Sequence, residues 1–266
     1  MIEFFHSAWQ AGLRSRSVQG ILLLGVLLVV IAYFSASFSP RQPKTVALDV
    51  GFSGVRLSLV LLVLFWVQEL VAREIERKTV LFALTYPVPR AYYLIGRFAG
   101  VLALAALAAL LLGLQLWVVV FAAGGDYDQG FAVAPGLPYW TTLAGLWLDA
   151  AVVGAFALWI ATLATVPMLP LALGLAFAVA GKALGAVIQY MMAGADGDPD
   201  ILKLAPIIDA IQWFLPDLSR LDWRVWPMYG VAPGNDAAIG GVAMALAYMG
   251  IALSLAAYAF ARREVS

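Results

Sequence analysis

Residues 69–97 read ELVAREIERKTVLFALTYPVPRAYYLIGR. This stretch decides the fold, because it gathers Glu69, Arg73, Glu74, Glu76, Arg77, Lys78, Arg90 and Arg97 in a sequence that is otherwise oily. Apolar segments long enough to cross a bilayer lie on both sides of it. The stretch therefore reads as a charged elbow, about residues 73–90, on the cytoplasmic side between two transmembrane helices. Glu69 and Arg73 are four apart, as are Glu74 and Lys78, a spacing that supports a helix by a few tenths of a kcal/mol per pair. Val80, Leu81, Leu84 and Pro87 then give the elbow an apolar face, which suits docking into a groove of a partner.

Composition agrees with a membrane chain. Hydrophobic residues make up 64% and charged residues 12% of the sequence, and the mean hydropathy is +0.92. A soluble domain carries about 25% charged residues. Net charge is zero, so there is no electrostatic footprint for nucleic acid. Without Cys there are no disulfides, thiol nucleophiles or Cys-based metal sites. The one His, His6, reads as an interfacial residue.

Working outward, residues 2–16 place Phe5, Trp9 and Leu13 at spacing four, with Ala8 and Gly12 in the same stripe. That pattern predicts an amphipathic helix on the membrane surface, ahead of an uncleaved anchor. Six spans are expected at about 18–38, 55–71, 91–122, 139–164, 167–192 and 237–261, each near or above the ~20 residues a bilayer requires. Residues 39–54 read as a polar loop with Pro40 and Pro43. The turn between spans four and five is set by Pro167 and Pro170, since Pro disfavours helix at the preceding residue and is tolerated at a helix start. Residues 193–236 form an extracytoplasmic segment. Within it, residues 200–215 read as a short amphipathic outer helix stopped by Pro216, and Trp213, Trp223, Trp226 and Tyr229 suit a membrane interface. The fold expected is thus an all-α integral membrane protein in a single transmembrane domain.

Lys and Arg near the span ends give the orientation. Arg14, Arg16, Arg73, Arg77, Lys78, Arg90, Arg97, Arg262 and Arg263 fall on one side, and Arg41, Lys44, Arg56, Lys203, Arg220 and Arg224 on the other. The first side is the more basic and is expected to be cytoplasmic, with both termini there.

Asp149 and Lys182 stand out as charges within spans. A charge at mid-bilayer costs about 2.5–3.5 kcal/mol on insertion scales and wants a partner or a wet pocket. Each lies about ten residues from the outer end of its span, roughly 15 Å deep at 1.5 Å per residue, so the two are expected to meet. Two readings stay open: an ion pair that fixes helix register, and the lining of a transport path. Gly181 and Gly185, like Gly96 and Gly100, form G-x-x-x-G pairs that favour close helix contact, and span five reads as a dimer face.

The elbow resembles the signature of the ABC-2 type permeases, the membrane subunits of ATP-driven exporters. The resemblance rests on Glu76-Arg77-Lys78-Thr79, Pro87-Val88-Pro89-Arg90 and Gly96-Arg97. Lys78 stands where that family usually has Gly, and Arg97 where it has Lys. The likeness extends to the N-terminal amphipathic helix, the six spans and FLPDLSRLDWR at residues 214–224. It implies a homodimeric permease of the bacterial inner membrane, with Glu74, Glu76, Arg77, Lys78 and Thr79 at the contact with a cytoplasmic ABC ATPase. ATP and Mg would be bound by that partner, because this chain lacks a G-x-x-x-x-G-K-[ST] phosphate loop and needs no cofactor of its own. Some relatives act instead as transmitters of ATPase strokes to an extracytoplasmic partner, which is the alternative reading of this chain. A catalytic role is disfavoured, since there is no H-E-x-x-H and no Ser/His pair.

Overall fold

A computed structural model describes residues 2–39, 41–76, 89–123, 130, 132–166, 168–192 and 215–262. The described residues are helical, with no strand among them. Helix α1 spans Ile2–Arg14 and α2 Arg16–Ser37, with Ser15 between them as the N-cap of α2. Helix α3 spans Pro43–Val67 and runs on through a π turn, Gln68–Ala72, and a last α turn, Arg73–Glu76. Then come α4 (Arg90–Ala122), α5 (Leu137–Leu163) and α6 (Leu169–Met192). A 3₁₀ turn at Leu218–Leu221 and the short α7 (Val225–Tyr229) precede α8 (Asn235–Arg262).

Six of these helices are long and apolar enough to cross a membrane, the pattern of a multi-pass membrane protein. Inter-helix contacts fix their alternation. Gly25 faces Ser58, Gly51 faces Leu116, Gly113 faces Leu143, and Gly154 faces Val63. Each glycine lets a neighbouring side chain close on the backbone. One end of the bundle therefore carries the close of α3 and the start of α4, and is called here the elbow end; the opposite is the far end. α3 and α5 are central, with 67% and 78% of their most apolar windows buried, against 22% for α2 and 17% for α8.

The clearest departure from the sequence reading is at α3. Residues 43–54 are not a loop: the helix starts at Pro43, twelve positions earlier than the expected Val55. Pro fits there because the first helical N–H has no intrahelical partner to lose. This moves Lys44 and Asp49 from the expected loop onto the same helix as Arg56. The hairpin after α5 lies close to its expected position, with Pro170 in the first turn of α6. α1 packs its Ala8 and Gly12 against Gly100 and Leu104 of α4, and Phe4 meets Tyr93 edge-on at 5.5 Å. The expected short helix at 200–215 lies outside the described residues, apart from its last position.

Candidate functional site

The charged side chains gather at two places, one in the far half of the bundle and one at the elbow end.

In the far half, Asp149 does not pair with Lys182. Arg56 Nε donates to Asp149 Oδ2 at 2.5 Å. The other oxygen, Asp149 Oδ1, is buried with no hydrogen-bond partner among the described residues. Lys182 Nζ instead donates to Asp222 Oδ2. Arg224 Nε donates to both oxygens of Asp222, at 2.9 and 3.0 Å. Its Nη1 donates to Asp49 Oδ1 at 2.9 Å and to Ser53 Oγ at 2.7 Å.

The physical reason for the changed pairing is the segment 215–224, which folds back over the helices as a strap. Its Leu221 carbonyl packs on Gly145, Leu218 on Gly181, and Ser219 and Asp217 on Gly185. Gly181 and Gly185 therefore seat this strap of the same chain; in sequence they read as a helix-contact motif. Asp217 caps the 3₁₀ turn by accepting from the Ser219 N–H at 3.1 Å. The turn then delivers Asp222 between Lys182 and Arg224. Burial works to push the Asp222 carboxyl up, but Arg224 and Lys182 outweigh it and hold the group below its usual value. Burial likewise opposes the charge on Arg224, and Asp222 and Asp49 more than offset it, raising that group.

These residues border a cleft of about 480 Å³ between α3 and α6, lined by Ser53, Arg56, Leu57, Lys182, Asp222 and Arg224 among others. Leu57 and Val179 on its apolar walls are exposed. The arrangement can hold polar groups beside an apolar surface. Among the described residues, no cluster of His, Asp or Glu has the makings of a metal centre.

At the elbow end, the acids of α3 fasten it to its neighbours. Ser15 Oγ donates to Glu69 Oε2, and Arg73 lies 3.6 Å from Glu69. Arg97 Nη2 donates to both Glu74 oxygens, at 2.5 and 2.8 Å, and Tyr93 Oη donates to Glu74 Oε2 at 2.5 Å. Glu74, read from the sequence as a partner-contact residue, thus ties α3 to α4 within this chain. The first of these ties, at Glu69, lies within the π turn, and the second, at Glu74, lies just past it. Gln68 is buried in that turn, and its Oε1 has no hydrogen-bond partner among the described residues. π turns insert an extra residue into a helix and recur at functional positions. Glu76 is exposed. Arg77, Lys78 and Thr79 lie outside the described residues.

Sequence reasoning singled out Asp149 and Lys182 but missed their partners, Arg56 and Asp222, and the Arg224–Asp49 pair that extends the network. A signal for Arg56 existed: Pro43 as a helix start puts it about 20 Å along α3 at 1.5 Å per residue. Nothing in the spacing announced Asp222. The chain matches no protein-family model and no curated protein sequence.

Proposed function

We propose that this chain is the permease subunit of an ATP-driven ABC-type transporter. It would couple hydrolysis in a separate cytoplasmic ATPase to export across the bacterial inner membrane, working as a homodimer. The observation that supports this best is the fastening at the elbow end. The elbow leaves α3 beside Glu69 and Glu74, which bind Ser15 and the Tyr93–Arg97 pair. A load applied to the elbow is thereby shared by α1, α2, α3 and α4. Glu76, exposed just past these ties, is free to meet a partner, and the resemblance to the permease signature sets Arg77, Lys78 and Thr79 beside it. The charged cleft between α3 and α6 favours a conduit over a purely structural role.

One observation favours the second reading, transmission of force to an extracytoplasmic partner. α3 is continuous from Pro43 to Glu76, about 50 Å of helix. It is tied at the elbow end by Glu69 and Glu74. In the far half it is tied by Asp49 and Ser53 to Arg224 of the strap. Movement of α3 would reach residues that face the opposite side.

Gentle purification of the chain from its native membrane tests the proposal. The expected result is co-purification of a soluble subunit with a phosphate loop, released by Glu76→Lys or Arg77→Glu. A chain that comes out with no ATPase overturns it. An ATPase that turns over only when a far-side protein is also bound would favour transmission.

A further inference from the structure

The seam between α5 and α8 carries a groove at the elbow end. Its deeper part is an aromatic slot of about 230 Å³ lined by Phe156, Trp159, Phe177, Tyr248, Ile251 and Leu255 with Ala252. Phe156 and Phe177 stack with ring centroids 4.2 Å apart and planes 7° from parallel. Tyr248 lies 6.2 Å from Phe177. Toward the helix ends the slot opens into a wider mouth of about 480 Å³, where Thr162, Thr165, Tyr258 and Arg262 line the wall. Trp159 and Leu255 border both parts, so slot and mouth are continuous.

The chemistry changes along this groove. At depth it is aromatic and aliphatic; at the mouth it offers hydroxyls and a guanidinium. Among the described residues, no acidic side chain lines either part. Arg262 has no acidic partner among the described residues, and its guanidinium lies over the Tyr258 ring, 4.4 Å from the centroid. The Trp159 indole N–H makes no hydrogen bond among them either. An apolar slot that ends in a cation with no acidic partner among the described residues is complementary to an amphiphile with an anionic head.

We propose that this groove is a binding site for one acidic phospholipid from the leaflet at the elbow end. One acyl chain lies in the Phe156–Phe177–Tyr248 slot, and the phosphodiester meets Arg262 and the Trp159 N–H. The inference requires that the six apolar helices sit in a bilayer, and it is independent of whether an ATPase binds the elbow.

Native mass spectrometry of the purified chain tests it, after delipidation and exposure to an equimolar mixture of phosphatidylglycerol and phosphatidylcholine with identical chains. The expected result is one tightly retained lipid with about fivefold preference for phosphatidylglycerol, the scale set by one basic side chain at a membrane surface. Arg262→Gln should bring the two lipids to parity while leaving one bound. Ile251→Trp, at an exposed position that lines the slot, should remove the retained lipid without lowering the melting temperature. Equal retention of both lipids by the unaltered chain overturns the proposal. So does a preference that survives Arg262→Gln, or a lipid that survives Ile251→Trp. Failure to find an ATPase in the co-purification leaves all three readouts unchanged, so the two readings fail separately.

Discussion

Arg56 and Asp149 lie 93 positions apart in sequence, and Arg56 Nε donates to Asp149 Oδ2 at 2.5 Å inside the bundle. The side chains are 17% and 2% exposed, so neither charge is solvated well enough to stand alone. The pair joins the two central helices, α3 and α5. It leaves Lys182 to be neutralised by a residue from outside the spans, Asp222. The strap at 215–224 is thus part of the electrostatic core of the bundle.

The pairing predicts a specific pattern of rescue. Breaking a buried ion pair by removing one partner costs about 3–5 kcal/mol. Asp149→Ala and Arg56→Ala should each lower the thermal midpoint in detergent markedly. Arg56→Asp combined with Asp149→Arg should recover part of the loss. Asp149→Lys combined with Lys182→Asp should recover none, because each new charge meets the wrong neighbour. Recovery in that second swap, read from the same melts, would show that Asp149 and Lys182 pair after all.

The glycines that seat the strap make a second prediction. A Cβ at Gly145 would collide with the Leu221 carbonyl, and at Gly185 it would come 2.7 Å from Asp217 Oδ1. Backbone cannot give way as a flexible side chain does, so overpacking here should cost about 1–3 kcal/mol. Gly145→Ala is expected to lift the strap and expose its amides. Hydrogen exchange should rise across 215–224 while the centres of α3 and α5 stay protected. Unchanged exchange in the strap would mean that Gly145 does not seat it.

Much of the fold could be read from the sequence, and much of the site could not, for a physical reason. Span lengths follow from apolar runs and from Pro punctuation, both local properties. Pro43 reads equally well as a loop residue or as a helix start, and the loop reading puts Asp49 in a loop and Arg56 at the very mouth of its span, whereas the helix from Pro43 carries Arg56 thirteen residues in. Asp149 and Lys182 were visible as charges that need partners. Their partners were not, since Asp222 lies 40 positions from Lys182 and reaches it only because a 3₁₀ turn folds over Gly181 and Gly185. The elbow acids were visible too, but their spacing suggested pairs along one helix. Glu69–Arg73 has that form, whereas Glu74 reaches across to Arg97.

The strap also predicts a pH dependence. Asp222 is held below its ordinary carboxylate value in the folded chain, so its unfolded form binds a proton first as pH falls. Its contribution is present above the unfolded pKa and is lost as pH falls through the lower, folded value. The thermal midpoint in detergent should therefore decline below about pH 4, the ordinary range of a carboxylate, and Asp222→Asn should flatten part of that decline while lowering the midpoint at neutral pH. An acid limb identical in the variant would remove Asp222 from the account.

At the elbow end, Glu74 makes the last prediction, because it separates a contact within the chain from a contact with a partner. Its carboxylate accepts from Tyr93 and twice from Arg97, and its side chain is 27% exposed. Hydrogen bonds to a charged group contribute about 1.5–3 kcal/mol each when well buried, and partial exposure puts this cluster at the lower end of that range. Glu74→Gln keeps the size of the side chain but removes its charge. It should lower the thermal midpoint of the isolated chain, with a matching loss in Arg97→Gln and little further loss in the double variant, since both changes break one link. Glu76→Gln, at an exposed position with no such ties among the described residues, should leave that midpoint unchanged and, if the proposed ATPase binds the elbow, act only on that binding. If Glu74→Gln spares the isolated chain and weakens only that binding, Glu74 faces a partner and the link to α4 is incidental.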